Sequence, residues 1–180
     1  MGASGAGKST LAAWFHDRGH RVISDDVCVV SPSETGRAFA IPGLPRLRLW
    51  LDALQATSRE AAGYDRSYIG DDLWDKFDVP IAIDRVPEAP IDLAAIYLLD
   101  QGETATITRI SGVAAAEAVF DHTYRGAFVP MLSADQGHWS ACVRLISQVP
   151  IFRFERLWGQ ATMDEQNLRV LEHARGLLAA

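Results

Sequence analysis

The stretch Gly2-Ala3-Ser4-Gly5-Ala6-Gly7-Lys8-Ser9-Thr10 holds the densest chemistry in the chain. It fits G-x-x-x-x-G-K-[ST], with Gly2, Gly7, Lys8 and Ser9 in the fixed places. Glycines let the backbone approach an anion closely, and successive N–H groups can point inward as an anion nest. A helix starting at the end of the loop adds its positive end. In such a loop Lys8 reaches the β- and γ-phosphates of a nucleotide, and the Ser9 hydroxyl binds Mg²⁺. The expected ligands are therefore a nucleotide's phosphates and Mg²⁺. The plainer alternative is a glycine-rich turn that merely starts a helix.

A second candidate is the acidic pair Asp25-Asp26. In an extended segment adjacent side chains point to opposite faces. One carboxylate could then hold Mg²⁺, directly or through water, while the other faces an alcohol and takes its proton during phosphoryl transfer. A solvated Asp-Asp turn is the alternative. Arg46 and Arg48, in a proline-bounded segment, could grip a phosphate through the planar guanidinium fork or could be surface charges. His122 and Arg125 in HTYR could meet a substrate or serve a helix end. Lys76, among Asp72, Asp75 and Asp78, reads as part of a solvated charged face. Trp139, Trp158, Phe152 and Phe154 read as core, and Cys28 and Cys142 as ordinary buried thiols. The histidines His16, His20, His138 and His173 have no metal-ligand spacing.

These residues need a scaffold. Leu11, Ala12, Trp14 and Phe15 predict a helix from Ser9 to about Asp17, capped by Gly19. Val22 to Val30 predicts strand material interrupted at Ser24-Asp25-Asp26, with the acidic pair at a strand end. Phe39 to Ile41 predicts a short strand. Leu47, Leu51 and Leu54 share a face at helical spacing, so Arg46 to Leu54 predicts a helix after Pro45. Residues 57 to 90, with Gly63, Gly70 and several prolines, predict a loop-rich insert with short elements, covering or flanking the site. IDLAAIYLLD from Ile91 predicts a buried strand, paired as a hairpin with the half-exposed strand TATITRIS. Helices are predicted over Gly112 to His122 and Ser133 to Gln148, and a strand over Val149 to Leu157. A last helix follows a Thr162/Glu165 capping box, with Leu168, Leu171, Ala174 and Leu178 as its apolar stripe.

The chain has 180 residues, 48% of them hydrophobic, which suits one globular α/β domain over 1–180. Its net charge of −6 and lack of a basic run argue against nucleic acid and anionic membrane as partners. No apolar run is long enough for a membrane span. Two isolated cysteines fit no disulfide framework or zinc site, and a cytoplasmic setting is expected. Such a loop usually hangs from a buried strand, yet only Met1 precedes it. The expectation is a late start site or an isolated segment of a longer protein.

A family resemblance rests on G-x-S-G-x-G-K-S, a helix, then R-G-H-R (Arg18 to Arg21) and S-D-D (Ser24 to Asp26). This order resembles the HPr kinase/phosphorylase catalytic domain, in which a similar R-G-H segment ends the helix and an aspartate pair follows directly. PGLPRLRLW (Pro42 to Trp50), APIDLAAIYLLDQGE (Ala89 to Glu103) and HTYR (His122 to Arg125) resemble the short stand-alone HPr-kinase-like proteins of bacteria, some of which accompany lasso-peptide gene clusters. The resemblance implies a P-loop fold like the nucleotide domain of phosphoenolpyruvate carboxykinase, a mixed sheet with flanking helices. It also implies ATP- and Mg²⁺-dependent phosphate transfer to a serine hydroxyl, here of a peptide or small protein, and often a homo-oligomer. Carried over residue by residue, Gly2 to Thr10 bind nucleotide, Asp25 is the preferred general base and Asp26 the metal or water partner, the reverse order remaining open. The family's upstream strand, its histidine before the P-loop and the I-R-G-x-G-I signature of HPr-specific enzymes are absent from the sequence. A P-loop NTP hydrolase, with Asp100 at the end of the Ile91–Leu99 strand as its acid, and a nucleotide-binding regulator without turnover are the competing readings.

Overall fold

In the computed structural model the described residues are 1–67, 75–132, 135–159 and 161–179. In chain order the elements are α1 (Lys8–Asp17), β1 (Val29–Pro32), β2 (Ala38–Ile41), β3 (Arg46–Trp50), α2 (Leu51–Ala56), β4 (Asp65–Arg66) and β5 (Lys76–Pro80). They continue with β6 (Ile91–Asp92), β7 (Ile96–Gln101), β8 (Thr106–Ile110), α3 (Gly112–Asp121), α4 (Asp135–Gln148), β9 (Ile151–Arg156) and α5 (Met163–Ala179). Among the described residues the architecture is α/β with three small sheets, ordered β1-β2-β6, β3-β5-β4 and β7-β9-β8. The chain divides into two compact units. One comprises Gly7–Val29 and Ala40–Ile91; the other comprises Met1–Ala6, Val30–Phe39 and Asp92–Ala180.

The unit containing α1 is built on the antiparallel pair β3–β5, in register Leu47↔Val79, Arg48↔Asp78, Leu49↔Phe77 and Trp50↔Lys76. Strand periodicity sorts these residues. Leu47, Leu49, Phe77 and Val79 are buried and join Ala13, Val22, Ala53, Leu54 and Ile81 in one core. Arg46, Arg48, Lys76 and Asp78 alternate with them and form the polar face. This corrects one sequence expectation. Arg46–Trp50 is a strand, not the first part of a helix, and only Leu51–Ala56 is helical. Leu51 is exposed while Leu47 and Leu49 are fully buried, so the period of two outweighs the helical spacing. Residues 57–90, expected to be loop-rich with short elements, contribute one such element, β5, to the core. Gly70 and Asp72 lie outside the described residues.

Helix α1 follows its expectation, ending at Arg18 with Gly19 left-handed at φ 89°. The strand expected from Val22 forms only at Val29. The Ser24 hydroxyl donates to the Val27 carbonyl, and the Val27 N–H closes a three-residue turn on the Asp25 carbonyl (2.7 Å). Asp26, at the centre of that turn, has φ 61°. The acidic pair therefore sits on a tight turn and not at a strand end.

In the second unit β9 is the centre of a mixed sheet. It pairs parallel with β7 (Leu99↔Phe154) and antiparallel with β8 (Ile107↔Phe154). The expected β7–β8 hairpin is thus replaced by insertion of β9. The reason is burial: IFRFER buries Ile151, Phe152, Phe154 and Arg156, and a central strand is covered on both faces. The buried strand expected from Ile91 is split into β6 and β7. Ala38, Leu145 and Val149 form a smaller core with Val30, Leu93, Ile96 and Val119 around it. Helix α3 agrees with its expectation, and α4 begins at Asp135, with Ser133 outside the described residues. Helix α5 buries Gln166, Asn167 and Val170, while Leu168 and Leu178 of the expected stripe are exposed. Glu165 pairs with Arg169, and the Thr162 hydroxyl meets the Gln166 amide, so the expected capping-box partners are engaged elsewhere. The Tyr97 hydroxyl and His173 Nδ1 are 2.7 Å apart, joining α5 to β7.

Candidate functional site

The Gly2–Thr10 loop changes units along its length. In its first part the Met1 amine donates to the Tyr97 carbonyl (2.7 Å), and the Leu99 N–H donates to the Met1 carbonyl (2.9 Å). That is the bonding pattern of a parallel bridge, so Met1 lies alongside β7 and the loop starts from that edge. Gly2 has φ 149°, and a Cβ there would lie 2.8 Å from the Leu99 carbonyl oxygen. Only glycine fits that approach. The Ala6 N–H donates to the Ala3 carbonyl (3.2 Å), while Ala3, Ser4 and Gly5 are exposed. The Arg156 guanidinium at the end of β9 donates to the Ala6 carbonyl. Arg156 is buried, and burial pushes its pKa down. A buried cation on a loop carbonyl leaves no mark in the sequence, where arginine is exposed by default.

In its second part Gly7 is left-handed (φ 75°) and caps α1, which contains Lys8, Ser9 and Thr10. The Ser9 hydroxyl donates to Asp25 Oδ1 (2.9 Å), and the Arg48 backbone N–H donates to Asp25 Oδ2 (2.7 Å). Both oxygens of Asp25 are thereby fixed by α1 and β3. The neighbouring carboxylate has a different set of partners. Asp26 accepts from Lys76 Nζ (2.9 Å) and from Arg48 Nη1 (2.7 Å). Asp78 continues the network, accepting from Arg46 Nη1 (2.6 Å) and from the Ser67 hydroxyl (2.6 Å). The Arg48 Nε lies 3.5 Å from Asp78 Oδ1.

The electrostatics follow from these contacts. Burial by itself raises the Asp26 pKa, but hydrogen bonds from Lys76 and Arg48, with their charges, hold the carboxyl below its ordinary value. Lys8 is shifted the other way for a cation: burial first, then the nearby Lys76 charge, lower its pKa, and Asp25 and Asp26 only partly offset this. Ser9, Asp25, Asp26, Arg46 and Arg48 are thus brought into one network within one unit. Lys76 and Asp78 belong to it as well. The sequence reading placed both on a solvated face; Lys76 has a side-chain exposure of only 14%. What could have found them is the period-two alternation of KFDVP, which faces Lys76 and Asp78 the same way.

Other candidates lie elsewhere. Asp100 is an exposed carboxylate on Arg153 (3.3 Å). His122 Nδ1 is 2.8 Å from the Ala118 carbonyl, a helix-end contact, and Arg125 lies over the Tyr124 ring. Phe152 and Phe154 are core, as expected, but Trp139 and Trp158 are exposed. Cys142 is buried, whereas Cys28 is exposed, against expectation. Among the described residues no three His, Cys, Asp or Glu side chains converge as metal ligands. Nor is any described helix long and apolar enough to cross a membrane. No family model, curated protein or solved structure matches the chain.

Proposed function

We propose that the chain is an ATP- and Mg²⁺-dependent phosphotransferase of the HPr-kinase type, acting on a serine hydroxyl of a peptide or small protein in the cytoplasm. The observation that carries this reading is the 2.9 Å contact between Ser9 and Asp25, one residue beyond Lys8. Phosphoryl-transfer sites of the P-loop type pair a loop hydroxyl with an aspartate at the metal, behind a lysine for the phosphates. A hydroxyl and a carboxylate are hard oxygen donors suited to Mg²⁺, which is commonly held by one or two carboxylates plus substrate phosphates. Bound there, the metal would neutralise charge on the phosphates.

The contact also favours an order of roles opposite to the preferred sequence assignment. Asp25, bonded to Ser9, fits the metal or water partner. Asp26, one residue on and held among cations, fits the group that orients the acceptor hydroxyl and receives its proton. Arg48 touches both carboxylates, through its backbone N–H and its guanidinium, and so fixes their separation. Arg46 is tied to Asp78 at the border of the same face.

The test is incubation with ATP, Mg²⁺ and serine-bearing peptides, read by mass spectrometry. A phosphoryl gain on serine, abolished in Lys8→Ala together with nucleotide binding, is expected. Phosphate release that ignores added peptide would replace this reading with a hydrolase, and binding without product would replace it with a regulator.

A further inference from the structure

We propose that Lys76 and Arg48, which both close on Asp26, form a phosphate clamp, so that a triphosphate binds by displacing that carboxylate. The proposal rests on the nucleotide-site reading above and adds Lys76 and an exchange of partners to it.

The clamp is built by the β3–β5 pair. Arg48 and Lys76 project from its polar face, with Asp78 opposite Arg48 and Trp50 opposite Lys76 in the register. Lys76 Nζ lies 5.8 Å from the Trp50 ring centroid, and its stem is covered. Both cations close on one carboxylate, Lys76 on Oδ1 and Arg48 on Oδ2. Asp26 meets both cations from a left-handed backbone, a conformation that disfavours most side chains. A simple surface strut has no need of such a turn. The turn places the clamped carboxylate next to Asp25, and hence one residue from the group that holds Ser9.

The donors themselves point to the same exchange. A polyphosphate carries more negative charge than one carboxylate and satisfies guanidinium and ammonium donors equally well. It would take over the donors that Arg48 and Lys76 now spend on Asp26.

The experiment is titration of the folded chain with ATP and with ADP, each with Mg²⁺ and with EDTA, for wild type, Asp26→Asn, Lys76→Met and Lys8→Ala. Asparagine tolerates the left-handed backbone, so Asp26→Asn removes the competing charge alone. ATP should bind Asp26→Asn about tenfold more tightly, in EDTA as well as Mg²⁺, as expected for loss of a charge-assisted competitor. Lys76→Met should weaken ATP about tenfold or more and ADP less. ATP affinity in Asp26→Asn equal to or below wild type, with the circular dichroism spectrum retained, overturns the clamp; that is the result a mere strut gives. If Lys76→Met does not fold, the Asp26→Asn result decides. If Lys8→Ala binds ATP like wild type, the nucleotide reading itself falls; if Lys8→Ala loses ATP while the other two leave the ATP/ADP ratio unchanged, only the clamp falls.

Discussion

Gly43 offers a way to perturb the acidic turn without touching either aspartate. Its N–H donates to the Ile23 carbonyl (2.8 Å), clasping the chain just before Ser24. A Cβ at position 43 would meet Ser24 Oγ at 2.6 Å and Ser24 Cβ at 3.1 Å. The hydroxyl has little freedom to withdraw, because it donates to the Val27 carbonyl and so closes the turn that presents Asp25 and Asp26. Overpacking of this kind costs about 1–3 kcal/mol, and loss of the Ser24–Val27 bond accounts for about 1 kcal/mol of it. Gly43→Ala should therefore lower the free energy of urea unfolding by about 1–3 kcal/mol. In a Ser24→Ala background the new methyl no longer meets the hydroxyl. The cost of Gly43→Ala should then shrink by about 1 kcal/mol, a coupling that a double-mutant cycle measures. Additivity within about 0.5 kcal/mol would refute the reasoning, since independent sites add to that tolerance.

Three further outcomes are expected. Leu49→Ala, at a fully buried strand position, should cost about 2–5 kcal/mol; Leu51→Ala, at an exposed one, should cost far less, and equal losses in denaturant melts would restore the helical reading of Arg46–Leu54. On the proposed nucleotide reading, Arg156→Gln should weaken ATP binding by freeing the Ala6 carbonyl, with Arg156→Lys recovering part of it; calorimetry showing wild-type affinity in Arg156→Gln would remove its positioning role. The Asp26 carboxyl is held below the ordinary carboxylate value of 3.8 by Lys76 and Arg48, so its contribution to stability is full above that pH and is lost as pH falls through the lower folded value. Urea midpoints measured from pH 7 into that acid range should consequently fall less steeply in Asp26→Asn than in wild type.

How much of this was legible in the sequence depends on how local each signal is. The helix after Gly7, the capping glycine at 19 and the strand IFRFER announce themselves through neighbours within a few residues. So did the loop and the acidic pair, because Ser9 and Asp25 are separated by a single helix and a turn. Arg46–Trp50 was ambiguous in principle: Leu47, Leu51 and Leu54 suit a helix, while Leu47 and Leu49 suit a strand. The choice is made by a partner far along the chain, the strand Lys76–Pro80, whose Phe77 and Val79 complete the same core. Lys76 was misread for the same reason. Its sequence neighbours are acidic, but its bonding partner is Asp26, fifty residues earlier. The β7–β8 hairpin failed because proximity in sequence favours pairing only when no more apolar strand competes for the centre, and β9 does. Arg156 carried no signal at all, since an arginine in an alternating strand is by default exposed.

The left-handed backbone at Asp26 makes position 26 a filter with two independent conditions. The φ of 61° admits glycine, asparagine and aspartate with little strain and penalises the rest. The cations of Arg48 and Lys76 ask for a short anionic side chain, a condition that glycine and asparagine fail. Glutamate carries the charge, but on a longer stem and at a backbone angle it adopts poorly. Of the twenty residues, aspartate alone passes both conditions. A saturation library at this one codon would therefore separate two populations: variants that keep the turn and variants that keep the charge, with the parent residue as their overlap.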